Sequence, residues 1–500
     1  MKKKFVLKAV VFAAICLLIM SVITPVFVPV WYPGTETMKG FQQEKENTVD
    51  VLFLGTSRTV YTASPWVLWE EYGISAYSLG VEQQPATVSA YLLEEALKSQ
   101  DIKAVAIEVM GLDRERNVDE SGQEASIREN FDNMPLTWEK IKAAWEICSE
   151  SAKQTFSSFV FPLLRFHDRW NNLDQEDFAD QNVPSRTKGA VVGLQKDGVN
   201  FFPDPFPQTT GEPYQLPEES SEGLARIMKI CKENGIELVF YASPTFGWTR
   251  EQTAFYEQIV QENENVHFIN FNTEEMIEDI GFDIHSDYVD VGGHVNYYGA
   301  QKMMRVVGRY MSEELQLPDH RGDSDYASWD DCVDYVEWQK KTDQLEQVQT
   351  VEEYLALLAD SRFSFAIAVC DDVAGAMSPQ VYELLRATGL GAPFENGYRN
   401  SYIAVVDKGE VIYEAMKTES QEYKLTLDEN AWFITSEGFL QEEGAYAQAS
   451  ITIEETCYST TTPGMLIAVY DNVDGTLVDV GVFNLYAEGL KEEVERNSLS

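Results

Sequence analysis

Positive charge is what this sequence has least of: 38 lysines and arginines stand against 82 aspartates and glutamates, a formal net charge of −44. Nucleic-acid affinity rests on cationic contacts to phosphates, so nucleic acid is excluded as a partner, and an anionic polymer substrate needs a local basic patch. Cysteine is scarce as well, with six in 500 residues, and there are five histidines. No Cys-x-x-Cys pair or histidine-rich cluster offers metal ligands, so a protein without metal or cofactor is expected. Cys16 falls in an apolar run, and the odd remainder, Cys148, Cys231, Cys332, Cys370 and Cys457, makes no disulfide framework. At most one or two bridges are expected, Cys370 with Cys457 first, because both lie in the last part of the chain.

What is present is enough for two or three cored domains: 500 residues with a hydrophobic share of 44%. Lys2, Lys3 and Lys4 precede an almost wholly apolar stretch, residues 9–30. As a helix it measures roughly 33 Å, enough to cross a bilayer core. The lysines put the N-terminus inside and the bulk of the chain outside, with Trp31 and Tyr32 as interfacial anchors. A single-pass membrane protein with an extracytoplasmic body is therefore expected. A cleaved signal peptide is the alternative, disfavoured by the length, by Pro25 and Pro29, and by the lack of a small-x-small cleavage site.

The β-branched and apolar run 49–54 reads as a buried strand that breaks at Gly55-Thr56-Ser57-Arg58. Ser57 is thereby delivered to the C-terminal end of a parallel sheet, where open α/β sheets bind ligands. A serine nucleophile needs a base, and His294-Val295-Asn296-Tyr297-Tyr298-Gly299 supplies a histidine just before the helical pattern 300–311. Further strands are expected at 76–79, 104–109, 238–242 and 266–269, separated by helices at 86–99, 221–234 and 250–263. That alternation implies a doubly wound α/β layer sandwich. A long insert, about 115–215, interrupts it, and its aromatics, among them Trp138, Trp145, Phe159, Phe161, Phe166 and Trp170, read either as a lid or as the insert's own core.

These segments, taken in order, resemble the SGNH (GDSL-like) hydrolase superfamily and, within it, the DltD-like membrane-anchored branch. Gly55-Thr56-Ser57-Arg58 matches the nucleophile block, Tyr77-Ser78-Leu79-Gly80 with Gln84-Pro85 the second block, Phe166-His167-Asp168-Arg169-Trp170 an aromatic-basic segment, and His294-x-Asn296-x-x-Gly299 the histidine block. The resemblance covers roughly residues 45–317 and implies a flavodoxin-like SGNH domain. It also implies an acyltransferase or esterase acting on O-acyl groups, acetyl above all, of a cell-envelope polysaccharide or teichoic-acid-like polymer, partnered by a multi-spanning membrane O-acyltransferase.

In that reading Ser57 attacks an acyl carbonyl, His294 moves the proton, and an acid orients the imidazole. The family's aspartate stands three residues before its histidine, where this chain has Val291; Asp290 stands four before, with Gly292 and Gly293 between, and Asp287 is in reserve. The offset leaves two readings: a working triad on Asp290, or a decayed SGNH protein that binds polysaccharide or assists envelope assembly. Backbone N–H groups of Ser57 and Gly80 are the expected oxyanion donors, each worth about 3 kcal/mol. No Gly-x-Asn-Asp block supplies a third, and Gln84 is its substitute, with capping of the following helix as the other reading. Arg58 and Asn296 are placed at the substrate; Arg58 reads equally as a solvated or ion-paired arginine. His167 and Arg169 read as structural, and His285 lacks the Asn-x-x-Gly context of His294.

Polar residues at 318–328 mark a linker, 318–349, with a helical stretch over 333–347. Beyond it the pattern becomes α+β, with strands at 363–370, 401–407, 411–413, 449–453, 464–470 and 478–484, and helices at 351–358 and 379–388. Phe365 to Asp372, Asn400 to Val406, Gly464 to Asn472 and Val478 to Phe483 resemble the interleukin-like EMT inducer (ILEI/PANDER-type) domain over about 350–488. That resemblance implies an extracellular interaction or carbohydrate-binding module without catalytic residues of its own.

Overall fold

The structure is a computed structural model that describes residues 2–29, 34–114, 116–120, 122–149, 151–178, 184–198, 201–291, 293–438 and 446–494. Trp31, Tyr32 and Gly292 lie outside the described residues. The chain divides into two compact units, Met1–Glu337 and Trp338–Ser500, and the division falls within the helix Ala327–Gln347.

The first unit opens with helix α1 (Lys2–Phe27), whose side chains Phe5, Leu7, Phe12, Leu18 and Val22 are all exposed. It is long and apolar enough to span a membrane. The body is a five-stranded parallel sheet: β1 (Val51–Leu54), β2 (Ala76–Ser78), β3 (Ala104–Glu108), β4 (Glu237–Ala242) and β5 (Val266–Asn270), in the order β2-β1-β3-β4-β5. Every residue of β1, β2 and β3 is buried, because helices cover both faces of the sheet. Alternate side chains of β1 serve two cores: Leu52 and Leu54 enter one, Val51 and Phe53 the other. Helices α3 (Ala86–Ala96), α4 (Glu218–Asn234) and α5 (Arg250–Glu262) pack in the first core through Leu92, Leu224, Ile227 and Tyr256. Helix α6 (Tyr297–Glu313) fills the second with Met303, Met304 and Val307. From β1 the chain runs to β2 on one side and to β3 on the other, so the strand order reverses beside β1, the place where open α/β sheets bind ligands.

The insert between β3 and β4 forms helices Gln123–Asn133, Trp138–Ser149, Phe156–Val160 and Leu163–Phe166. Its aromatics divide: Phe159 is buried edge-on against Phe131 at 4.9 Å, while Trp138, Trp145 and Trp170 are exposed.

The second unit holds two antiparallel sheets. One runs β15-β14-β13-β6-β7-β8, from β6 (Phe363–Cys370), β7 (Ser401–Asp407), β8 (Glu410–Lys417), β13 (Gly464–Asp471), β14 (Thr476–Asn484) and β15 (Leu490–Glu493). The other runs β12-β11-β10-β9, from β9 (Gln421–Leu427), β10 (Asn430–Ser436), β11 (Ala449–Ile453) and β12 (Thr456–Thr460). Ala366, Ala368, Ile403 and Leu466 meet Trp432, Ile434 and Ile451 between the sheets. The opposite face of the six-stranded sheet is covered by Tyr354, Leu355, Val381 and Leu385 from helices Val351–Leu357 and Pro379–Ala387. The bridge expected between Cys370 and Cys457 is not formed: all six cysteines are free. Cys370 is buried, its Sγ donating to Ala447 O at 3.3 Å, and burial pushes the thiol up to about 12, whereas Cys457 is exposed on β12.

Candidate active site

Two residues after β1, Ser57 starts the short helix α2 (Ser57–Thr62). The turn between them requires glycine: Gly55 has φ +145°, and a Cβ there would lie 2.4 Å from Thr59 Oγ1. As the first residue of α2, Ser57 has an N–H with no acceptor inside the helix. Gly80, just beyond β2, lies so close that a Cβ on it would come within 3.0 Å of Gly55 O. Its N–H makes only a weak bond, 3.4 Å, to Ser78 Oγ.

His294 comes from a tight loop ahead of α6. Tyr288 and Val295 pair across the base of this loop, Val289 N donating to His294 O at 2.8 Å. Within it Gly293 takes φ +86° and its N–H donates to Asp290 O at 3.3 Å, so the chain doubles back on itself. This turn brings Asp290 Oδ2 to 2.7 Å from His294 Nδ1, while His294 Nε2 lies 2.9 Å from Ser57 Oγ. With Nδ1–H donating to Asp290, Nε2 is the acceptor for the serine hydroxyl. Tyr61 of α2 lays its ring on the imidazole, centroids 5.0 Å apart. His294 and Asp290 are partly open, with 28% and 44% of their side chains exposed.

No protein-family model matches the chain, and no curated protein matches it.

The other expected site residues divide into those near the serine and those employed elsewhere. Arg58 Nη1 donates to Gly293 O at 3.1 Å, tying the helix that carries Ser57 to the loop that carries His294. Asn296 does not reach for substrate; it is wholly buried and caps α6. Its Oδ1 accepts from the N–H groups of Tyr298 and Gly299, and its Nδ2 donates to the carbonyls of Gln195, Ser286 and Tyr288. Gln84 donates from Nε2 to Ser89 Oγ at 2.7 Å, a bond into the first turns of α3. Asp287 is occupied by Lys302 Nζ at 2.6 Å and the Asp283 N–H at 2.7 Å. His285 is exposed, and His167, also exposed, bonds through Nδ1 to Leu164 O.

Two acids escaped sequence reasoning. Glu108, wholly buried at the end of β3, accepts from Gly111 N, Ser243 N and Ser243 Oγ, and so joins the ends of β3 and β4. Asp113 accepts from the Tyr214 hydroxyl and from Gln252 Nε2. Burial pushes its carboxyl up to about 6; Glu108 adds to the rise, while the Tyr214 hydroxyl, the Arg58 charge and Gln252 oppose it. A charged residue closing an apolar strand run was the one visible signal for Glu108. Among the described residues no group of histidine, cysteine and acid side chains is arranged to hold a metal.

Proposed function

We propose that the chain is a serine-dependent acyl-transfer enzyme, an esterase or acyltransferase, in which Ser57, His294 and Asp290 act as nucleophile, base and orienting acid. The single observation that carries this reading is the unbroken relay from Ser57 Oγ to Nε2 and from Nδ1 to Asp290 at the mouth of a parallel sheet. The strand order 2-1-3-4-5 is that of flavodoxin-like sheets and supports an SGNH-type domain. The four-residue spacing that motivated a decayed, non-catalytic reading is met by the doubled-back loop.

Ser57 Oγ attacks the acyl carbonyl as its proton passes to Nε2, and Asp290 holds the resulting imidazolium. The oxyanion forms against the N–H groups of Ser57 and Gly80. Collapse expels the alcohol, which takes the proton from Nε2, and leaves an acyl-serine. Water or a sugar hydroxyl then gives up its proton to His294 and takes the acyl group. The partly open site suits O-acyl groups on a cell-envelope polysaccharide or teichoic-acid-like polymer, with α1 as a membrane anchor and the second unit as an ILEI-like carbohydrate-binding module. A multi-spanning membrane O-acyltransferase is the proposed acyl donor partner. Hydrolysis of p-nitrophenyl acetate by the detergent-solubilised chain tests this. Ser57→Ala and His294→Ala should each lower kcat by about 10⁴-fold or more; activity equal to wild type in Ser57→Ala would overturn the assignment.

A further inference from the structure

Helix α1 is not left to itself: it meets the helix Leu163–Phe166 and the 3-10 turns His167–Asn171 and Glu176–Phe178. Arg169 fastens this junction. Its Nη1 donates to Phe27 O at 2.8 Å, at the negative end of the helix dipole, and its Nη2 to both oxygens of the buried Asp177 at 2.8 and 2.9 Å. Each of the three elements also carries one large apolar side chain in the open: Leu164, Trp170 and Phe178 are 48%, 68% and 67% exposed. Aromatic and aliphatic side chains beside the end of a membrane-length helix belong to the headgroup zone of a bilayer.

In the same part of the molecule lies a cavity of about 180 Å³. Met20 and Thr24 of α1 line it together with Leu136, Val160 and Phe161 of the insert, and so do three charged residues, Lys39, Asp132 and Lys140. The Asp132 side chain is fully buried; Oδ2 accepts from Arg165 Nη1 at 2.6 Å, but Oδ1 has no hydrogen-bond partner among the described residues. A buried acceptor left unpaired costs stability and calls for a donor. Lys140, equally buried, donates to Met134 O at 3.0 Å, and an ammonium carries three protons. Lys39, Lys140 and Arg165 together outweigh the charges of Asp132 and of Glu129, which Arg165 also attracts, so a phosphodiester beside them meets a surplus of positive charge.

We propose that this cavity holds the head of one membrane lipid with a free hydroxyl, the hydroxyl donating to Asp132 Oδ1, Lys140 donating to a head oxygen, and the acyl chains lying outside the cavity along α1. The inference rests on reading α1 as a membrane span. Such a lipid clamps the insert to the end of the helix and holds the first unit close to the bilayer surface.

The test uses the full chain in vesicles of mixed phosphatidylglycerol, which has free hydroxyls, and phosphatidylmethanol, which is equally anionic and has none. Flotation on a density gradient reports membrane association, and native mass spectrometry after mild detergent extraction reports retained lipid. The expected result is one phosphatidylglycerol per chain, preferred over phosphatidylmethanol. Retention should fall about tenfold in Lys140→Met, which removes the donor to the head oxygen, and in Leu136→Trp, which fills the space. Circular dichroism and Tm identify a variant that has lost its fold, and the preference measured on the wild type decides the matter without either variant. Flotation without preference between the lipids, or equal retention by wild type and folded variants, overturns the cavity assignment alone. Failure to float overturns the membrane reading of α1 and the lipid site with it.

Discussion

Asp290 Oδ2 lies 2.7 Å from Nδ1 of His294, four residues further along the chain, and the bond is made across a doubled-back loop rather than a helical turn. The acid thus orients the imidazole from a spacing one residue longer than the SGNH pattern. Asp290→Asn should lower kcat toward p-nitrophenyl acetate by about 10³-fold with KM little changed, because it breaks the tautomer that leaves Nε2 as acceptor. Steady-state kinetics checks this, and a loss of less than about tenfold would mean that the acid is idle.

Arg58 reaches the histidine loop through Gly293 O at 3.1 Å. If its work is to hold that loop, Arg58→Ala lowers kcat on a small neutral ester as well as on an anionic one. We expect about a tenfold fall on p-nitrophenyl acetate, the worth of one charge-assisted hydrogen bond. A loss confined to anionic esters would instead assign Arg58 to the substrate.

Asn296 carries five hydrogen bonds to backbone groups, two from the N–H groups that open α6 and three to the carbonyls of Gln195, Ser286 and Tyr288. Asn296→Ala should destabilise the first unit by about 2–4 kcal/mol, combining a lost cap with newly orphaned buried groups. A lowered Tm with an unaltered KM in the remaining folded protein is the expected pattern.

Glu129, buried on the insert helix Gln123–Asn133, has its carboxyl pushed up to about 7, chiefly by burial and further by Glu82, against the pull of Arg165. An acid with a raised folded pKa binds more protons folded than unfolded, so its charge costs stability above about pH 7. The cost shrinks as pH falls through that value and vanishes below the ordinary 4.5. Glu129→Gln should therefore stabilise the protein by on the order of 2–3 kcal/mol at pH 8 and by less than about 1 kcal/mol at pH 5. Urea unfolding at the two pH values measures the difference.

The parallel sheet was legible because its strands are short, continuous apolar runs: Val51–Leu54 and Ala104–Glu108 are buried on both faces and admit no other reading of comparable economy. Of the four-stranded sheet in the second unit only β11 was legible; β9, β10 and β12 were not. In Gln421–Leu427 burial alternates and the outward positions carry Glu422, Lys424 and Thr426, which in sequence resemble a polar connection. The serine and histidine announce themselves by a strand-to-turn break and a helix start. The acid does not, because its reach depends on the left-handed turn at Gly293, a backbone property that spacing alone cannot express. Asn296 shows the reverse error: an asparagine directly before a helical pattern is a cap on physical grounds, and the expected substrate contact came from the family resemblance. Arg169 read as structural, but its partner, the carbonyl of Phe27 some 140 residues earlier, was beyond any local pattern.

The most direct measurement is the mass of the intact chain after treatment with a fluorophosphonate, with the modified peptide sequenced. The account predicts a single adduct on Ser57 that is absent from Ser57→Ala and slowed in His294→Ala and Asp290→Asn. A chain that stays unmodified while folded, or one that carries the adduct on another serine, would contradict it.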